Sequence, residues 1–169
     1  MSVSHIPPAL FVTLAEVVPE LHVQCVEPWC LIGSAAARLL GAQVDVADVD
    51  VLVSPGDAEA LMALWAGRRD ADHAPADGDR FRSHFARFHF PGMAVEVMGG
   101  LEVDHGDGWQ PLAPGKLQLV GVQGMAVPVP SLDDQLRILH AFGRDKDRRR
   151  IDALRQLRRP SVLPVVSSR

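Results

Sequence analysis

Apolar residues recur at helical spacing from the start of the chain: Leu10, Leu14, Val17, Val18 and Leu21 follow Pro7 and Pro8, which predicts an amphipathic helix over about 8–22. The pattern then changes. Trp29-Cys30-Leu31-Ile32 is a short apolar run of strand type, Gly33-Ser34 interrupts it, and Ala35–Leu40 is an alanine-rich helix former that Gly41 closes. A second strand follows over about 48–53, in which Asp48 and Asp50 are the only charges among Val49, Val51, Leu52 and Val53. Ser54-Pro55-Gly56-Asp57 opens a helix to about Ala66, with Ser54 as N-cap.

Residues 67–80 are polar, contain Pro and Gly, and carry no apolar period, so they read as a surface loop. Two strands, Ser83–Phe90 and Ala94–Met98, are predicted on either side of a Pro91-Gly92 turn. Shorter strands are expected near 117–120 and 125–129. Ser131-Leu132-Asp133-Asp134 caps a helix to about Phe142, Gly143 ends it, and a basic helix continues to about Leu157 before Pro160. No internal repeat interrupts this order. It predicts one α/β (α+β) domain over 1–169, a mixed sheet with helices packed on it, closed by C-terminal helices at about 131–157.

The length of 169 residues and 47% hydrophobic content suit one core of this kind. Lys and Arg total 17 against 21 Asp and Glu, a formal net charge of −4, so the surface as a whole is not built to attract a polyanion. The opening MSVSHIPPALF has none of the parts of a secretory signal, and no apolar run approaches the ~20 residues that span a bilayer, which predicts a cytoplasmic protein without a membrane partner. Cys25 and Cys30 are spaced for neither a zinc knuckle nor a redox pair and read as reduced, partly buried thiols.

Chemistry concentrates on the acids. Side chains alternate along a strand, so Asp48 and Asp50 share one face, and two carboxylates on an apolar strand repel each other unless a cation or solvent intervenes. Hard oxygen ligands suit Mg²⁺, which completes its shell with water and substrate phosphates. Glu96 is similarly isolated within Ala94-Val95-Glu96-Val97-Met98 and, on a neighbouring strand, would share the metal or act as a base. The Gly33-Ser34 turn allows close backbone approach to phosphate oxygens. In RFRSHFARFHF, Arg80, Arg82, His84, Arg87 and His89 are candidates for a phosphate or nucleic-acid path. The interleaved Phe81, Phe85, Phe88 and Phe90 suit either base stacking or a core face. His84, His89 and His105 match no compact zinc motif.

These parts together resemble the nucleotidyltransferase superfamily that includes DNA polymerase beta and the aminoglycoside and lincosamide nucleotidyltransferases. Leu31-Ile32-Gly33-Ser34 resembles its hydrophobic-Gly-Ser signature, thirteen residues intervene, and Asp48-Val49-Asp50-Val51 resembles its paired-carboxylate strand. Val95-Glu96-Val97-Met98-Gly99 resembles the strand of the third carboxylate. Pro130–Leu136 with Gly143-Arg144-Asp145-Lys146-Asp147 resembles the helical end of small bacterial members.

The resemblance implies that a nucleoside triphosphate, ATP or another, is bridged by two Mg²⁺ ions, with Mn²⁺ an alternative. A hydroxyl on a small molecule or RNA attacks the α-phosphorus and pyrophosphate leaves. It assigns Asp48 and Asp50 to metal, Glu96 to metal or general base, Gly33 and Ser34 to the β- and γ-phosphates, and Lys146 to a further phosphate contact. Two departures stand out. Asp45-Val46-Ala47 places an acid where many relatives carry a basic or hydroxyl residue, and no appended acceptor domain follows. They leave open a non-catalytic nucleotide- or protein-binding role, and a toxin-like transferase acting on tRNA or protein would use the same chemistry.

Overall fold

The computed structural model describes residues 5–75 and 77–158. The element order is α1 (Pro8–Gln24), β1 (Cys30–Ile32), α2 (Gly33–Leu39), β2 (Asp48–Val53), α3 (Pro55–Leu64), β3 (Phe81–Phe88), β4 (Ala94–Asp104), β5 (Trp109–Pro111), β6 (Leu117–Val122), β7 (Met125–Pro130), α4 (Leu132–Phe142) and α5 (Asp145–Gln156). The main sheet runs β1-β2-β4-β3, with β5 also paired to β4, while β6 and β7 form a separate hairpin whose β7 packs against β1. β2 and β4 are parallel and the other pairs antiparallel, so the sheet is mixed.

Alternation decides the two faces. Val49 and Val51 of β2 and Val95 and Val97 of β4 are fully buried, whereas Asp48, Asp50 and Glu96 between them are partly open. The apolar helix positions named in the sequence behave as expected: Leu10, Leu14, Val17, Val18 and Leu21 are all buried. Thr13 ties α1 to the β3–β4 connection, donating to the Pro91 carbonyl (2.8 Å) and accepting from Met93 N–H (3.0 Å). Both side-chain caps form, Ser54 accepting from Asp57 N–H and Ser131 from Asp134 N–H.

Several boundaries move for physical reasons. β3 starts at Phe81 and stops at Phe88, because the chain then leaves the sheet to carry Phe90 into contact with Trp65. β4 does not stop at Met98. Beyond Gly99, the last partner of β2, it continues to Asp104, where β5 supplies a new partner at Glu102–Asp104. β5 was not legible as a strand because three residues carry no period. The loop expected over 67–80 begins with a 3₁₀ turn at Ala66–Arg68 and a bridge from Arg69 to Phe88. The helix expected after Gly33-Ser34 starts at Gly33 itself. α5 ends at Gln156, and Pro160 lies outside the described residues. Among the described residues no helix is long and apolar enough to cross a membrane.

Candidate active site

The parallel register of β2 and β4 sets Asp50 directly beside Glu96. Neighbouring strands lie only ~4.8 Å apart, so the two side chains project together, and Asp48 joins them from the same face of β2. The three acids read from the sequence are therefore one cluster.

Burial pushes the Asp50 carboxyl well above its ordinary range, and the charges of Asp48 and Glu96 push the same way, while Arg150 opposes them. Arg87, on β3 across from Glu96 in the β3–β4 register, supplies the nearest cation. Its Nη1 lies 3.3 Å from Asp48 Oδ2 and also donates to Glu96 Oε1. His73 approaches the same Glu96 oxygen at 3.3 Å and, with Ala74 and Pro75, lines the cavity that holds the acids. Hydrogen bonds and charge from Glu96 and Asp48 hold the Arg87 proton more tightly than usual against the opposing effect of burial.

The acids form one wall of a cavity of about 500 Å³. Arg144, Lys146 and Arg150 line it from the α4–α5 junction, and Phe81, Phe85 and Phe142 from the sides. Lys146 is exposed, and its neighbours pair elsewhere: Asp145 with Arg148, and Asp147 with Arg144 and Arg150. Among the described residues Lys146 therefore lines the cavity without closing a surface pair with either neighbour.

Gly33 adopts φ +65°, and a Cβ built on it would come within 2.3 Å of Asp50 Oδ2. Only glycine allows that carboxylate to lie against the backbone. Its carbonyl accepts a 2.9 Å hydrogen bond from Gln135 Nε2, and the buried Ser34 Oγ has no hydrogen-bond partner among the described residues. Gly33 and Ser34 are both buried and do not line the cavity, whereas Ile32 just before them does.

The basic and aromatic stretch divides. Phe88 and Phe90 belong to the core, whereas Phe81 and Phe85 face the cavity. A register shift between Arg82 and His84 breaks the alternation that would align Arg80, Arg82 and His84, and Arg82 pairs with Glu102 at 2.6 Å. His84 and His89 are exposed, and His89 turns to Asp70 at 3.6 Å. Both cysteines are free, with burial raising each thiol to about 12 and Asp57 adding to the effect at Cys25.

Sequence reasoning missed the pairing of Arg87 with the acids, the approach of His73, and the roles of Arg144, Arg150, Asp147 and Gln135. For Arg87 a signal existed. An arginine on the strand after a polar loop, alternating with phenylalanines, faces whichever side its neighbours do not bury.

No family model matches the chain, and no curated protein matches it. Solved structures do. A "putative nucleotidyltransferase" from Thermotoga maritima superposes with a TM-score of 0.71 at 20% identity, covering 91% of this chain and 96% of that one. The lincosamide antibiotic adenylyltransferase LnuA, in its lincomycin-bound form, gives a TM-score of 0.57 at 12% identity over 90% of this chain and 98% of its own. The fold is nucleotidyltransferase-like, a mixed α/β arrangement as the sequence predicted.

Proposed function

We propose that this chain is a divalent-cation-dependent nucleotidyltransferase, moving a nucleoside monophosphate from a nucleoside triphosphate to a hydroxyl on a small molecule or RNA. One observation carries the reading: three carboxylates from parallel neighbouring strands face Arg144, Lys146 and Arg150 across one cavity. Carboxylates alone would repel a triphosphate. An acid wall opposite a basic wall suits a polyanion that arrives with cations of its own.

The donor set fits Mg²⁺ or Mn²⁺ in its chemistry, being three hard oxygen ligands whose crowding already burdens Asp50. Among the described residues no group of three or more His, Cys, Asp or Glu side chains is drawn in around a single metal position, and Arg87 lies across Asp48 and Glu96. Asp48 and Asp50 would hold the cations, with Glu96 as a third ligand or the base. Bound cations would neutralise and align the attacking and leaving oxygens of an in-line displacement.

The acceptor oxygen forms its bond to the α-phosphorus as the α–β bridging bond breaks, and pyrophosphate leaves with the electron pair. Glu96 takes the acceptor proton, for which its position beside Asp50 suits it. Arg144, Lys146 and Arg150 neutralise the β- and γ-phosphates, and Gly33 lets the Asp50 carboxylate lie close against the backbone.

The experiment is calorimetric titration of each nucleoside triphosphate with Mg²⁺, followed by an assay for pyrophosphate release with pooled hydroxyl acceptors. Absence of binding at millimolar triphosphate overturns the reading. A second reading, a nucleotide- or protein-binding chain without catalysis, draws on Arg87, whose guanidinium already pairs with two of the acids. Triphosphate binding without pyrophosphate release would favour it.

A further inference from the structure

Asp147 has no exposed side-chain surface, yet it is a carboxylate one turn into a helix whose other polar residues, Arg150 apart, are exposed. A buried charge of this kind is costly unless fully paired. Here it is. Asp147 Oδ2 accepts from Arg144 Nε at 2.6 Å and from Arg144 N–H at 3.3 Å, while Oδ1 accepts from Arg144 Nη2 at 3.2 Å and Arg150 Nη1 at 3.0 Å. One carboxylate thus grips one guanidinium by its edge and a second by its tip.

Both guanidiniums line the cavity opposite Asp48, Asp50 and Glu96, with 26% and 15% of the Arg144 and Arg150 side chains exposed. Stacking of Arg144 on the Phe142 ring, 4.8 Å from the centroid, adds a further constraint. Arginine side chains otherwise lose much rotamer freedom when they bind phosphate, and a fork fixed beforehand avoids that loss. A helix cap alone would need only the Arg144 backbone contact. It does not explain why the same carboxylate reaches forward to Arg150.

We propose that Asp147 is a positioning residue, which holds Arg144 and Arg150 as a preformed two-guanidinium clamp for the terminal phosphates of the substrate. The inference rests on the triphosphate reading of the cavity and adds to it a cause for the clamp's geometry. Asp147 itself touches no substrate. It acts only through the two arginines.

The test uses inorganic tripolyphosphate, titrated calorimetrically with Mg²⁺ present, so that no base or acceptor need be known. Asp147→Asn removes the charge at constant shape and is expected to weaken binding roughly ten- to hundred-fold. In an Arg144→Gln/Arg150→Gln background the same change should weaken it by less than about three-fold, because the groups it positions are gone. A merely structural role would give the same factor in both backgrounds, and that additivity overturns the proposal.

If Asp147→Asn fails to fold, Arg150→Lys decides. It keeps the positive charge without the fork that Asp147 orients, so weakened tripolyphosphate binding is expected and wild-type affinity overturns the clamp. No binding by the wild-type chain overturns both this inference and the triphosphate reading. Wild-type binding that the variants match overturns this inference alone.

Discussion

Arg87 Nη1 lies 3.3 Å from Asp48 Oδ2 while donating to Glu96, so one guanidinium from β3 spans acids on two other strands. The side chains of Arg87, Asp48 and Glu96 are 22%, 27% and 16% exposed, shielded enough for the charges to matter. A metal bound by the same carboxylates must compete with this internal cation. Arg87→Ala is therefore expected to destabilise the metal-free chain by roughly 1–3 kcal/mol and to tighten Mn²⁺ binding. Thermal unfolding and a paramagnetic Mn²⁺ titration measure the two effects. Equal or weaker Mn²⁺ affinity in the variant would remove Arg87 as a competitor.

Asp50 should show function and stability pulling apart. Its carboxylate is crowded by Asp48 and Glu96 in a partly buried position. Asp50→Asn relieves like-charge repulsion, so the metal-free variant is expected to unfold at an equal or higher temperature than wild type. Nucleotidyl transfer should fall by at least roughly 10³-fold, as the loss of several kcal/mol of transition-state stabilisation implies. A variant that retained transfer would dismiss Asp50 from the site.

Gly33 combines two demands, positive φ and contact with Asp50. The left-handed conformation costs roughly 1–2 kcal/mol for an alanine, and its Cβ would also displace the Asp50 carboxylate. Gly33→Ala should lower the melting temperature and abolish metal-dependent triphosphate binding. Gly67→Ala is the control, since a Cβ there meets nothing within 4 Å. Comparable binding loss in both variants would separate triphosphate binding from the Gly33–Asp50 contact.

Asp57 is a structural acid with a pH signature. Burial works against its charge, but the N–H groups of Val26 (2.9 Å) and Glu27 (3.0 Å), with Ser54, outweigh it and hold the carboxyl below its usual value. The folded state therefore prefers the ionised form. The stability this contributes is present above the unfolded value near pH ~3.9 and is lost as pH falls through the lower folded value. Asp57→Asn should cost roughly 1–3 kcal/mol at pH 7, with the gap to wild type closing below about pH 4. Chemical denaturation across that range reads it, and a gap that stayed constant would remove the charge from the account.

Much of the scaffold was legible because its signals are local. The 3.6-residue period of Leu10 to Leu21, the Ser54 and Ser131 caps and the Gly143 stop each depend on residues within a turn or two, and each is found. β5 was not, because it exists only as a partner for the overlong end of β4. Ser34 shows the limit of a motif: the residue lies where the signature predicts, but its hydroxyl is buried and, among the described residues, unpaired.

By itself the sequence determined which face each strand presents, and with it that Asp48 and Asp50 project together and that Glu96 stands apart from its apolar neighbours. Alternation within one strand is a local property of the backbone. Only the tertiary structure decided that Asp50 sits beside Glu96, that Arg87 reaches across to both strands, and that Asp147 gathers two arginines opposite them. Those relations depend on strand order, on parallel register and on the approach of α5, each set by how apolar faces pack over the whole chain.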